Sequence, residues 1–556
     1  MNKRKKTFDK LVVALLVMNM LGLPIQNIVL ANELSTTEEV VTEETKINES
    51  ATAVTNTSNS ESMESETAPI SEKEPEPTEI SSSETVLEES KVLTDTSDVK
   101  SSEKQESSEE PSSSTQQSEE RPSTKATSSG TFPNGSTATW SFDDATGTLS
   151  ISAGTLVNPN KSIANLIGVS TSQIKSIVFE GQVVASGSLY KLFDGASSLT
   201  SLDLSGFDTS QVTNMSFMFS GASSLTSLDL SNFDTSQVTN MNAMFFEASS
   251  LTSLDLSNFD TSQVLAMGSM FFEASSLTSL DLSNFDTSQV INMGSMFFGV
   301  RSLTSLDLSN FDISQAKNME YMFSEASSLT NLDLSNFDTN QVRYTYYMFS
   351  ETSSLTSLDL SNFDTSNVSD MVGMFSGASS LTSLDLSNFD TSQVMTMAVM
   401  FDGASSLTSL DLSNFDTSQV TNMKAMFSEV SSLTSLDLSN FDISKVTNME
   451  DMLQGTSKLQ NLTLGSQFQF VGTNAALPNP TPTAKYTGKW QNVGSGTVDK
   501  PKGTFVGTAM ELMSNYTGST MADTYVWQPV LAPVVVNVKD STLMQGDTWN
   551  ASDNFL

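Results

Sequence analysis

Carboxylates recur in this protein at a fixed spacing that could build a site. Asp203, Asp229, Asp255, Asp281, Asp307, Asp333, Asp359, Asp385, Asp411 and Asp437 follow one another at intervals of 26 residues. Stacking units of that length would set them in a column about 5 Å apart. Such a column can gather a divalent cation, which needs several converging oxygens, or stay a solvated face. The repulsion between neighbours is under about 1 kcal/mol per pair in water, and raised pKa values or loosely held cations would relieve it. A flat single column does not make oxygens converge, so the solvated face is favoured and no metal is expected. The sequence has no His and no Cys, which removes His general bases, Cys and His nucleophile systems and the common zinc sites. No nucleophile, base or cofactor constellation is left, and the protein is read as a non-enzyme without a cofactor.

Two other residue groups invite a functional reading. Met241, Met244 and Phe245 recur every 26 residues, which is what core packing demands and not the mark of a soft-metal or peptide groove. Tyr344, Tyr346 and Tyr347 sit beside Arg343, and Tyr321 occupies the place of Tyr347 one unit earlier. Half of the eight tyrosines thus collect in two adjacent units with an arginine, the residue types that dominate binding hot spots. Tyr321, Arg343, Tyr344, Tyr346 and Tyr347 are therefore the candidate partner-binding residues, weighed against simple drift of the repeat.

The elements that would position these groups follow from the period. Leucines at 202, 228, 254 and onward to 462 keep a register of 26 without insertion, the signature of stacked supersecondary units. In the unit 225–250, Leu225, Leu228 and Leu230 have leucine-rich-repeat spacing, with Leu228 and Leu230 inward on a strand and Ser227, Asp229 and Ser231 outward. Asp234 and Gln237 then suit a helix cap, and Val238, Met241, Met244, Phe245 and Ala248 recur at helical spacing. The expected fold is α/β: a leucine-rich-repeat solenoid with a parallel β-sheet backed by short helices or helical turns. One unit cannot offset its own conformational entropy, so stability is expected to come from neighbours and capped ends.

The flanks complete the domain plan. Lys3, Arg4, Lys5 and Lys6 precede an apolar run from Leu11 to Leu23 and a Val29-Leu30-Ala31 cleavage site, giving a signal peptide at 1–31. The run is too short for a membrane anchor, and no later segment is apolar enough to span. Residues 32–128 are Ser, Thr and Glu with scattered Pro, and read as a disordered acidic spacer reaching at least about 50 Å. Residues 129–175 form an N-terminal β cap, with a hairpin from Ala138–Phe142 to Leu149–Ile151. The solenoid covers 176–466. A C-terminal cap at 467–530 contains Lys485–Trp490, Thr504–Gly507, Tyr525–Trp527 and a helix from Ala509 to Ser514. Residues 531–556 look like the start of a truncated Ig-like β domain, so the sequence is expected to be a fragment.

The unit Leu228-Asp-Leu-Ser-Asn-Phe-Asp-Thr-Ser-Gln-Val-Thr-Asn-Met-Asn-Ala-Met-Phe245 resembles the 26-residue repeats of BspA-like bacterial surface proteins, and ten near-identical copies span about half of the sequence. The resemblance implies surface display and adhesion. Two departures stand out. Ala248 sits where many such repeats carry Cys, and Phe233 takes the place of the usual ladder Asn, leaving that turn to Asn232, Asp234 or water. The expected product is a secreted adhesin or interaction protein of a Gram-positive bacterium, attached to the wall through a C-terminal region that lies beyond Leu556. Its expected partner is a protein or glycan of host extracellular matrix, mucus or another cell. A formal net charge of −39 argues against nucleic acid. The rival is a structural stalk, roughly 50 Å long at about 5 Å per unit, that spaces other domains from the wall.

Overall fold

The computed structural model describes residues 127–530. The expected signal peptide at 1–31, residues 32–126 of the expected spacer and the expected Ig-like segment at 531–556 lie outside the described residues.

The array is a solenoid held by parallel pairing, flanked by two β-rich caps. At its start, β1 (Thr127–Thr131), β2 (Thr139–Asp143) and β3 (Thr148–Ile151) pair antiparallel, and Trp140 lies opposite Ile151 in the expected hairpin. β1 takes in Thr127 and Ser128, two residues assigned above to the spacer: Gly130 on this strand leaves room for the Trp140 ring, which a Cβ there would meet at 2.9 Å. The hairpin then turns parallel, with β3 paired to β5 (Ser176–Phe179) and β5 to β7 (Ser201–Leu202). A second, three-stranded parallel sheet joins β4 (Gly154–Val157), β6 (Val183–Ser188) and β8 (Phe207–Asn214). A one-turn helix, α1 (Ile163–Ile167), follows β4, capped by the Ser162 side chain and ended by Gly168 in the left-handed region.

At the far end β9 (Ser435–Leu438) pairs parallel with β10 (Asn461–Leu464), and β10 then takes β13 (Asp523–Pro529) antiparallel. β11 (Tyr486–Asn492) and β12 (Val506–Gly507) extend that sheet. α2 (Ala509–Asn515) opens with a capping box between Thr508 and Glu511 and buries Leu512, and a single turn α3 (Gly518–Met521) follows. Trp490 is fully buried, its indole N–H donating to the Pro478 carbonyl at 3.1 Å. The last open rung of a parallel array is thereby closed by antiparallel strands, which limits edge pairing.

Of the short helices or helical turns expected to back the sheet, the described repeats hold turns. Each unit is a succession of β-turns, closed for example by Phe233 N–H to Leu230 O, Val238 N–H to Thr235 O, Met244 N–H to Met241 O and Phe246 N–H to Ala243 O. Ala243 and Glu247 have φ of 54° and 53°, and counterparts along the array also lie at positive φ. Left-handed residues every few positions cannot continue a right-handed helix. The amides that a helix would satisfy internally point to the next unit: Met241, Ala243, Phe245 and Glu247 donate to the Ala266, Gly268, Met270 and Phe272 carbonyls at 2.7–3.0 Å. Asp234 is no helix cap; its carboxylate accepts the Ser236 N–H at 3.0 Å in a local turn.

Burial follows the columns. Leu225, Leu230, Val238, Met241, Met244, Phe245 and Ala248 are buried, as are their counterparts. The Phe245 column is a continuous ring stack from Phe219 to Phe427, with centroids 5.7–5.8 Å apart and planes within 8°.

Candidate partner-binding face

Two kinds of side chain hold one unit to the next on the Leu-Asp-Leu side. Asn258 donates Nδ2 to the carbonyls of Leu230 (3.0 Å) and Phe233 (2.7 Å) of the preceding unit, so Asn232 and its counterparts are the ladder that the displaced Phe left open. Buried Thr235 accepts the Asp260 N–H at 2.8 Å and donates its hydroxyl to the Asp260 carbonyl at 2.9 Å. From Asp203 to Asp411 the recurring aspartates have lowered, not raised, pKa values. In Asp229 the backbone N–H and hydroxyl of Ser231 hold the carboxyl below its ordinary value, and the matching serines lower Asp281 and Asp333, with neighbouring carboxylates opposing only weakly. Each carboxylate is thus satisfied by its own turn, and among the described residues no three carboxylates converge as metal ligands.

The other side of the unit is where residues vary. The position of Thr239 reads Thr213, Thr239, Leu265, Ile291, Lys317, Arg343, Ser369, Met395, Thr421 and Thr447 along the array. Backbone hydrogen bonds stack it directly: Leu265 N–H reaches Thr239 O, Ile291 reaches Leu265, Lys317 reaches Ile291 and Arg343 reaches Lys317, at 2.9–3.0 Å. Between residues 199 and 458 the exposed large hydrophobics are Leu265 (46%), Ile291 (42%), Tyr344 (46%) and Met395 (55%). All four stand at this position or the next one along.

The five tyrosine and arginine candidates separate here. Arg343 and Tyr344 are exposed on the ladder just described. Tyr321 is 3% exposed and belongs to a second aromatic row, in which Phe246, Phe272 and Phe298 stack at 4.5 Å and Tyr321 meets Phe298 edge-on at 6.2 Å. Tyr347 stacks on Tyr321 at 5.2 Å over Gly373, where any Cβ would collide with its ring. Tyr346 packs edge-on to Tyr321 at 5.3 Å and its hydroxyl donates to the Glu320 carboxylate. Burial pushes the Tyr321 and Tyr347 hydroxyls up in pKa, with nearby carboxylates adding to the effect. Tyr321 is thus buried in this row and Tyr346 and Tyr347 are half-buried against it, whereas Arg343 and Tyr344 reach solvent.

Leu265, Ile291, Lys317 and Met395 join the face without having been expected as site residues, although reading the repeats down their columns exposes them at once. An ion cluster adds to the joints between units: Arg301 bridges Glu273 and the buried Glu325, both carboxylates holding its guanidinium charged.

A solved structure titled "Crystal structure of TLR13-ssRNA13 complex" is similar at 17% identity, covering 58% of this chain and 62% of that chain, with a TM-score of 0.17. The match spans less than two thirds of that protein's length. No curated protein matches. A family described as "Mycoplasma protein of unknown function, DUF285" matches at 187–281, 252–358, 277–383 and 345–467. These overlapping stretches run over the whole turn-built array and together cover half of the sequence, and the chain therefore belongs to the DUF285 family.

Proposed function

We propose that this protein is a surface-displayed adhesin or interaction protein that binds a host or neighbouring-cell macromolecule through the ladder of Leu265, Ile291, Lys317, Arg343 and Tyr344. The observation that carries the reading is the concentration of exposed large hydrophobics of the repeats at two adjacent positions. A solvated face has no use for them, and clustered apolar and aromatic side chains on a rigid surface are the raw material of an interface. Export through the signal peptide at 1–31 and attachment to a Gram-positive wall, as the BspA-like resemblance implies, complete the reading. Surface plasmon resonance of the full-length protein against matrix proteins, mucins and glycans tests it. Saturable binding is expected, weakened at least about tenfold by Leu265→Thr, Ile291→Thr and Tyr344→Asn together, which restore the commoner residues of those positions. Binding that survives the triple substitution overturns the face.

A stalk is the second reading, favoured by the Ser-Asp-Ser positions of the Leu-Asp-Leu segments, which are nearly identical in ten units and exposed. A cooperatively folded protein that binds nothing in the panel would select it.

A further inference from the structure

Seven cations lie between residues 176 and 466, and five of them have a side-chain partner within the protein. Lys191 pairs with Asp194 and Lys424 with Glu450, while Arg301 bridges Glu273 and Glu325. Lys445 and Lys458 donate to Gln419 and Ser432. The side-chain nitrogens of Lys317 and Arg343 have no hydrogen bond or ion pair among the described residues. These two residues stand on consecutive rungs, joined by the Arg343 N–H to the Lys317 carbonyl at 3.0 Å. Two like charges held one rung apart repel each other, yet 287–306, 313–319 and 339–350 contain no Asp or Glu to set against them. Glu320 accepts the Tyr346 hydroxyl, and Asp370 accepts the Val372 N–H at 2.9 Å. In a protein of net charge −39, two exposed cations on adjacent rungs without a side-chain partner among the described residues stand apart from the other five. On the preceding rungs, Leu265 and Ile291 continue the same column with exposed aliphatic side chains, and Tyr344 stands beside Arg343.

We infer that this ladder takes an acidic polypeptide segment whose carboxylates meet Lys317 and Arg343 and whose aliphatic side chains meet Leu265 and Ile291. The inference rests on the reading of the ladder as the contact face and adds the chemistry of what sits there. An anionic glycan would use the two cations and leave the aliphatic half unused. A polypeptide supplies both kinds of group along one strand, and charge complementarity sets its direction.

The test is selection of a random-peptide display library on the full-length protein, followed by fluorescence polarisation with the selected synthetic peptides. Asp and Glu are expected to be enriched beside Leu, Ile, Val or Phe. Lys317→Glu with Arg343→Glu should weaken binding at least about tenfold, and rising salt should weaken it progressively. Lys317→Thr with Arg343→Thr places the commonest residue of the column on both rungs. It should lose binding as well, with an unchanged thermal midpoint separating lost contact from lost fold. Peptides that need Leu265, Ile291 or Tyr344 but show no acidic enrichment would overturn the partner chemistry and leave the contact face standing. Binders indifferent to all of these substitutions would overturn both. Saturable heparin binding that the charge reversal abolishes, without acidic peptides, would replace the polypeptide with a sulfated glycan.

Discussion

The two halves of each repeat are glued to their neighbours by different atoms. From Leu225 to Val238 the joints between units run mostly through side-chain groups, chiefly the amide of Asn232 and the hydroxyl of Thr235, with sparser backbone bonds such as Thr278 N–H to the Thr252 carbonyl. From Thr239 to Glu247 they run chiefly from backbone N–H to backbone carbonyl oxygen, with a threonine hydroxyl adding a bond where one stands, as Thr239 does to the Thr213 carbonyl at 3.2 Å. A side-chain joint ties the residue type to the fold, and the first half is nearly constant, with Ile313 and Ile443 the exceptions at the Thr235 position. A backbone joint is indifferent to what the side group is, and the second half carries Thr, Leu, Ile, Lys, Arg, Ser and Met at one position. Diversity is therefore concentrated in the half where it leaves the backbone bonds between units intact, and that is the half bearing the candidate partner-binding face.

The most damaging way to break this contrast is to strike what both halves share. Phe297→Ala removes a buried ring stacked between Phe271 and Phe323, and should lower the denaturant unfolding free energy by about 3–5 kcal/mol. Next comes a side-chain joint. Thr287→Val keeps the shape but removes both the acceptor for the Asp312 N–H and the donor to the Asp312 carbonyl, at 2.8 Å each, and should cost about 1–3 kcal/mol in the same titration.

Asp370→Asn should act in the opposite direction and by less. Burial raises the Asp370 carboxyl above its ordinary value of 3.8, so its ionised form is the disfavoured one in the fold. Asn holds the same turn elsewhere, as Asn240 does in accepting the Asn242 N–H at 2.9 Å. The variant should unfold at higher denaturant near neutral pH. The gain should shrink as pH falls through the raised value, where Asp370 is already protonated, and comparison of midpoints across pH checks both signs. The smallest effect sharpens the contrast most: Ile291→Thr and Lys317→Thr sit on backbone joints and should each change stability by no more than about 0.5 kcal/mol. A loss as large as that of Thr287→Val at either position would erase the distinction between the halves.

Much of this architecture is legible in the order of the residues. The period of 26, the inward leucines, the cap hairpin at Trp140 and Leu149, and the helix at Ala509 follow from periodicity and local turn chemistry. The back of the repeat does not. Val238, Met241, Met244 and Phe245 satisfy helical spacing, yet a series of turns with left-handed residues buries the same set. The tyrosine cluster is a related case: composition cannot tell Tyr344, which is exposed, from Tyr321, which packs against Phe298 and Tyr347.

Periodicity alone determined that the units stack, which residues face the core, and that no His or Cys chemistry is available, because those properties depend on residue type and spacing. Which atoms join one unit to the next, how each strand aspartate finds its donors within its own turn, and which varied residues reach solvent were decided only by bringing the units into register. Those outcomes depend on where turns close and on distances between groups about 25 residues apart in sequence, and a rotation of a single turn would change them.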